Sequence, residues 1–107
     1  MTDCVQIVTT VRTQEDAYEL AHALTGARLA SSVDVLGPVV SIRYRDGVVK
    51  ETRHWLLTME SVAARLPAIE EYLSVHQGHD VPHMEVTPIP DDARVARWTA
   101  RLLGPPN

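Results

Sequence analysis

Apolar and polar residues follow two different periods in the first quarter of the chain. Residues 4–11 are rich in Val, Ile and Thr, which is typical of a β-strand. Thr13 can then cap a helix, with Asp16 in place three residues later. The helix is predicted from an apolar stripe spaced i, i+3, i+4 and i+7, formed by Ala17, Leu20, Ala21 and Leu24. Gly26 lies near its expected end.

A period of two then predicts a β-hairpin. Residues 30–36 are extended, and Gly37-Pro38 indicates a bend or bulge. Beyond it, Val40, Ile42 and Tyr44 alternate with Ser41, Arg43 and Arg45, the pattern of a strand with one wet face. Asp46-Gly47 favours a type I′ turn, so we expect residues 48–58 to return antiparallel.

The second predicted helix starts after Ser61 and carries a proline inside its pattern. Its apolar stripe consists of Val62, Leu66, Ile69 and Leu73. Pro67 either kinks one long helix or opens the main helix after a preliminary turn that ends at Leu66. We favour the second interpretation, because a proline is tolerated in the first turn of a helix.

The last third of the chain completes a familiar element order. Gly78 ends the second helix, and residues 81–89 are extended, with prolines that suit an edge strand. A final helix is expected from Asp91-Asp92 to Gly104, with Val95, Trp98 and Leu102 on one side. The order predicts an α+β, ferredoxin-like β-α-β-β-α-β sandwich with an extra C-terminal helix, and residues 1–107 form a single domain.

Composition adds that the core is aliphatic. Hydrophobic residues make up 45% of the chain, aromatic residues only 5%, and Phe is absent. No apolar run approaches the ~20 residues that cross a bilayer, and the N-terminus lacks the blocks of a secretory signal. One cysteine, Cys4, fits a reducing compartment. We therefore expect a cytoplasmic protein without a membrane partner.

Charge and motifs exclude several classes of function. The net charge of −4 comes without a basic block, so a nucleic-acid partner is not expected. The five glycines are too far apart for a phosphate-binding loop. Ser31-Ser32 lies in no nucleophile-elbow context, and Cys4 has no assigned base. The sequence therefore predicts a protein that is not an enzyme, with no catalytic residues and no organic cofactor.

Histidines form the one cluster that suggests chemistry. His76, His79, Asp80 and His83 occur within eight residues. Imidazole and carboxylate ligands suit Zn²⁺ or Cu²⁺, so His79, Asp80 and His83 are the candidate metal ligands. Gly78 and Pro82 interrupt a helix within this run, so the loop would have to fold back. Ordinary surface histidines near a helix end are the more common alternative.

Several short blocks, in order and on the expected elements, resemble a known family. They are Val8-Thr9-Thr10, Arg28 to Val33, Ser41 to Tyr44 ahead of Gly47, Val81-Pro82, Thr87 to Ile89 and the C-terminal Trp98. Together they resemble the CutA divalent-cation-tolerance family over about residues 5 to 103. Each block alone would be weak evidence for the family, and the resemblance depends on their occurring together in this order.

The resemblance implies a ferredoxin-like protomer, similar in shape to PII-type signal proteins, that forms a homotrimer by pairing strands across subunits. It also implies a role in divalent cation tolerance, with copper among the cations and no established reaction. A trimer would cover the strand edges that the hairpin around Asp46-Gly47 otherwise leaves unpaired.

The chain departs from the family pattern at positions that the resemblance assigns to function. The family usually has Cys at Ser32, Trp at Arg45 and Lys at Glu60, and the resemblance places these three positions at the intersubunit cleft. It usually has His-Pro-Tyr-Glu where residues 77–80 stand. A soft thiolate is lost at position 32, and a charge is reversed at position 60. The cleft is thus expected to bind a cation or a changed small ligand.

Two other functions stay open. One is an enzyme of unknown reaction at the subunit cleft, with Asp80, Glu60 and a histidine as acid and base. The other is a PII-like module that recognises a protein partner through the projecting hairpin. In that case the basic residues of the hairpin, Arg43, Arg45 and Lys50, matter more than the histidines.

Overall fold

The computed structural model describes residues 3–77 and 84–89. This part of the chain contains four strands and two helices. In chain order they are β1 (Cys4–Val11), α1 (Gln14–Gly26), β2 (Ser32–Arg45), β3 (Val48–Val62), α2 (Leu66–Gln77) and β4 (Met84–Pro88), with a short 3₁₀ turn at Ala63–Arg65 before α2. The C-terminal helix expected after Asp91 lies outside the described residues.

The first strand and helix follow the sequence prediction closely. β1 has the expected bounds, and the side chain of Thr13 accepts a hydrogen bond of 3.1 Å from the backbone N–H of Asp16. This bond satisfies one of the free N–H groups at the helix start. Leu20 and Leu24 from the predicted stripe are buried, so α1 presents its apolar side to the core.

The hairpin is longer and more continuous than its interrupted sequence suggests. β2 is one strand from Ser32 to Arg45, and its pairing with β3 shifts register between Leu36 and Val39. The shift is the predicted bulge at Gly37-Pro38. Asp46 and Gly47 have φ angles of 54° and 78°, which confirms the predicted turn with positive φ at both central positions.

The second helix also begins as the favoured interpretation predicted. A 3₁₀ turn over Ala63–Arg65 precedes α2, and Pro67 is the second residue of that helix. A proline at this position breaks no helical hydrogen bond, because the first N–H groups have no partner within the helix. Ile69 and Leu73 are fully buried, as their places in the apolar stripe predicted.

One antiparallel sheet carries both helices on the same face. The strand order is β2-β3-β1-β4, so β4 is the edge strand that its prolines indicated. Alternate residues of β1 and of the inner part of β3 join a single core cluster with residues of α1 and α2; Ile7, Leu57 and Met59 are fully buried there. These features confirm the predicted α+β, ferredoxin-like fold. No helix among the described residues is long and apolar enough to cross a membrane.

The outer part of the hairpin departs from expectation. Residues 39–54 pair only with each other, and we call this segment the arm. The alternation of Val40, Ile42 and Tyr44 predicted one dry face, but Ile42 is 65% exposed and Tyr44 is 77% exposed. The expectation of a dry face is therefore wrong for the single chain, because β1 ends its pairing at Trp55 and no other element of residues 3–77 and 84–89 covers the arm.

Candidate functional site

Two of the predicted cleft residues lie side by side on the sheet face opposite the helices, which we call the open face. Ser32 on β2 is directly opposite Glu60 on β3. Glu60 is also opposite Gln6 on β1, which in turn is opposite Thr87 on β4. Cross-strand partners have neighbouring side chains on one face. A polar row therefore crosses the whole sheet, with the Glu60 carboxylate as its charged member.

Hydrogen bonds from two serines fix the backbone at this row. The N–H and the hydroxyl of Ser31 both donate to the carbonyl oxygen of Glu60, at 2.9 and 3.1 Å. The hydroxyl of the buried Ser61 donates to the carbonyl oxygen of Leu29. The segment that leads into β2 is thus joined to β3 at Glu60 and at Ser61. Ser31 has a structural role here, in keeping with the lack of a nucleophile motif around it.

The third predicted cleft residue is far from the other two within one chain. Arg45 ends β2 at the tip of the arm, opposite Val48. At about 3.3 Å of rise per residue, the strand carries it roughly 40 Å from Ser32. One chain therefore brings Ser32 and Glu60 together and leaves Arg45 apart.

The predicted metal ligands His79, Asp80 and His83 lie outside the described residues. The neighbouring His76 is described: its ring stacks on Tyr72 with centroids 4.3 Å apart and an angle of 21°. Among residues 3–77 and 84–89, no three His, Cys, Asp or Glu side chains are grouped to hold a metal ion.

A cleft of about 1000 Å³ opens where the arm leaves the body. One wall is the start of α1, the other is the arm, and the buried Leu20 is among the lining residues. The charged side chains of the α1 wall are Arg12, Asp16 and Glu19, and those of the arm wall are Arg43 and Arg53.

Two histidines complete the lining of this cleft. His54 from β3 is half-buried, and its Nε2 lies 3.5 Å from the hydroxyl of Ser41 on β2. His76 reaches the cleft from the end of α2. The cleft therefore combines charged and titratable groups from both helices and from both strands of the arm.

Sequence reasoning missed this cleft as a site. Its members come from residues 10–20, 43, 52–54 and 76, so no local spacing joins them. Only the bulge at Gly37-Pro38, which re-aims the arm, gave any sign of an irregular junction here.

Comparison with known proteins places the fold and the residue pattern in one family. A model of the CutA1 divalent ion tolerance protein family matches residues 5–101. The chain belongs to the CutA1 divalent ion tolerance protein family, which confirms the resemblance seen in its sequence.

Individual relatives agree with this assignment. The divalent-cation tolerance protein CutA of Thermus thermophilus is 28% identical over 88 residues, covering 82% of this chain and 85% of the relative. The crystal structure of CutA1 from Ehrlichia chaffeensis has a TM-score of 0.84 at 13% identity and covers 97% of this chain and 98% of that one.

A third relative bears on the predicted compartment. The CutA structure from Archaeoglobus fulgidus, which has a TM-score of 0.76, 15% identity and coverage of 97% and 100%, is named a periplasmic divalent cation tolerance protein. At that identity the likeness shows the fold alone. A cytoplasmic location for this chain stays a prediction.

Proposed function

We propose that this protein acts in divalent cation tolerance as a homotrimer whose intersubunit cleft binds a cation or a small ligand. The arm is the observation that supports it. Ile42, Tyr44 and Val49 are each more than 60% exposed, and no element among the described residues covers them. Apolar strands exposed in this way favour pairing with another copy.

The distance between the predicted cleft residues also favours assembly. Arg45 can join the row of Ser32 and Glu60 only when the arm comes from a neighbouring copy. An arginine beside the Glu60 carboxylate would balance the negative charge that this chain has in place of the family's usual lysine. In this arrangement each cleft draws on two subunits.

Light scattering after size exclusion tests the trimer. Three chains of 11.9 kDa give a particle of about 36 kDa. Ile42→Glu should convert this particle to the monomer, whereas Glu51→Gln, directly opposite Ile42, should leave it intact. A wild-type monomer at micromolar concentration would reject the intersubunit cleft.

The metal part of the proposal rests on residue types and on the name of the family. We propose His79, His83 and Asp80 as ligands for Zn²⁺ or Cu²⁺. Imidazole binds a metal ion in its neutral form, so a protonated histidine must first lose its proton, and affinity should fall as the pH drops through about 6.5. Titration calorimetry with ZnCl₂ should show a larger loss for His79→Ala than for His22→Ala on α1. Equal losses would reject these ligands.

A substitution at position 32 tests metal binding in the intersubunit cleft independently of the histidine ligands. Ser32 offers a neutral hydroxyl where a cysteine would offer a soft thiolate. Ser32→Cys should therefore raise the affinity for Cu(I), with Ser74→Cys on α2 as the control. No gain in a correctly assembled protein would show that position 32 is not near a metal.

A protein partner for the arm is the second candidate function. Arg43 lies directly opposite Lys50, and Arg45 follows on the same face of the arm. Like charges that face each other across strands reduce stability, so this basic face has no structural benefit of its own. An acidic partner surface would suit it. A partner retained by the wild type and lost with Lys50→Glu and Arg45→Glu, but not with Lys50→Arg, would support this function.

A further inference from the structure

The cleft at the base of the arm has two walls of different charge. Asp16 and Glu19 are three residues apart on α1, so their carboxylates share one side of the helix. Arg43 and Arg53 line the cleft from β2 and β3. With Arg12 on the same side, the α1 wall has one net negative charge, whereas the arm wall has two positive charges.

The described contacts leave these charged ends open to a ligand. The hydrogen bond that caps α1 uses the backbone N–H of Asp16, not its carboxylate. No ion pair joins the arginines of the arm to Asp16 or Glu19 within the described residues. The charges are therefore close enough to line one cleft but too far apart to neutralise each other.

The wall chemistry selects the class of ligand. A guanidinium group binds a carboxylate through two parallel hydrogen bonds, and a carboxylate binds an ammonium group. A polyanion would be repelled by Asp16 and Glu19, and a polycation by Arg43 and Arg53. Leu20 also lines the cleft and offers apolar contact to a short carbon chain. A molecule with one charge of each sign satisfies both walls.

We propose that this cleft binds a small zwitterion of the amino acid class, with its carboxylate on the arm and its ammonium group on α1. The residues that define both walls belong to one chain, and none of them is a proposed metal ligand. Its test therefore does not depend on a metal.

Three probes with the same carbon skeleton test the proposal. 4-Aminobutyrate has both charges, butyrate only the negative one and butylamine only the positive one. Titrations monitored by ¹H–¹⁵N NMR at low salt should show binding of 4-aminobutyrate about tenfold tighter than that of either singly charged probe. The amides of residues 10–20 and 52–54 should shift most. Equal affinity for butyrate, or no binding of any probe, would overturn the proposal.

Substitution of one charge on each wall locates the two ends of the ligand. Arg53→Gln should weaken the binding of 4-aminobutyrate about tenfold, so that it binds no more tightly than butylamine. Glu19→Gln should weaken it by a similar factor, so that it binds no more tightly than butyrate. Both residues are exposed, so the variants should fold. Arg28→Gln and Glu15→Gln remove charges outside the cleft and are the matched controls. If the controls weaken binding as much as the cleft variants do, the effect is one of net charge and the site is rejected.

Discussion

The body and the arm use the same alternation of apolar and polar residues with opposite results. In the body, Ile7, Leu57 and Met59 are fully buried beneath the two helices. In the arm, Ile42 and Tyr44 are more than 60% exposed, although they alternate just as regularly. The strands of the arm are fully paired with each other, so the difference lies in what covers the face and not in the strand itself.

This contrast limits what a binary pattern predicts. Alternation sets which residues share a face, because successive side chains of a strand point to opposite sides. Covering that face requires a second element, which α1 and α2 supply for the body. For the arm, the pattern indicates only that a cover is needed. In an oligomer the cover would be another copy of the chain.

The largest expected effect separates the two regions directly. Ile7→Ala leaves a cavity in the core and should lower the free energy of unfolding by about 2–5 kcal/mol. Ile42→Ala removes a side chain that is 65% exposed, and should change the unfolding of the chain itself by less than about 0.5 kcal/mol. Urea denaturation followed by circular dichroism measures both.

Repeating both measurements at several protein concentrations distinguishes the two variants further. Any further loss of unfolding free energy in Ile42→Ala should depend on protein concentration, because mass action increases the assembled fraction. The loss of unfolding free energy in Ile7→Ala should not depend on protein concentration as long as the assembly state is the same. Equal, concentration-independent losses for both variants would contradict the division into a covered body and an uncovered arm.

The next effect concerns the junction between the two regions. A Cβ atom at Gly37 would lie 2.6 Å from Cε3 of the Trp55 ring, so the indole must move. Gly37→Ala should therefore lower the free energy of unfolding by about 1–3 kcal/mol. Gly26→Ala is the control, since no atom lies within 4 Å of its added Cβ. Thermal melts in which Gly37→Ala is no less stable than Gly26→Ala would show that Trp55 adapts freely.

A smaller effect is expected at the tip of the arm. Gly47 has a φ of 78°, in the left-handed region that side chains disfavour. Gly47→Ala should therefore lower the free energy of unfolding by about 1–2 kcal/mol. Asp46→Gly, next to it in the turn, should be neutral or slightly stabilising because Asp46 also has a positive φ of 54°. A stability of Gly47→Ala equal to that of the wild type would mean that the tip changes its turn type.

Sequence alone predicted several helix starts and the hairpin turn well because their signals are local. Thr13 and Asp16, Asp46-Gly47 and Pro67 each act within four residues, and each lies where the pattern indicated. The exposure of Ile42 could not be foreseen. It depends on where β1 stops pairing, at Trp55, which is a property of the tertiary fold.

The proposed intersubunit cleft came from the family resemblance and not from a sheet register read in the sequence. Ser32 and Glu60 were assigned to one cleft through the family resemblance, and the pairing of β2 with β3 brings them together. Arg45 was assigned to the same cleft, but a single chain keeps it at the other end of β2. The cleft beside α1 was missed because Arg12, Arg53 and His76 share no spacing in sequence.

The smallest expected effect tests whether the basic face of the arm reduces stability. Lys50 lies directly opposite Arg43, and removing this repulsion with Lys50→Thr should raise the free energy of unfolding by about 0.2–1 kcal/mol at low salt. Lys50→Arg keeps the charge and should give no such gain. Thr also has a higher strand propensity than Lys, so part of the gain need not be electrostatic. Urea denaturation in 1 M NaCl separates the two causes, because the screening length falls to about 3 Å. A gain from Lys50→Thr that is undiminished in high salt would assign the whole effect to propensity, and the basic face would then carry no repulsion for a partner to relieve.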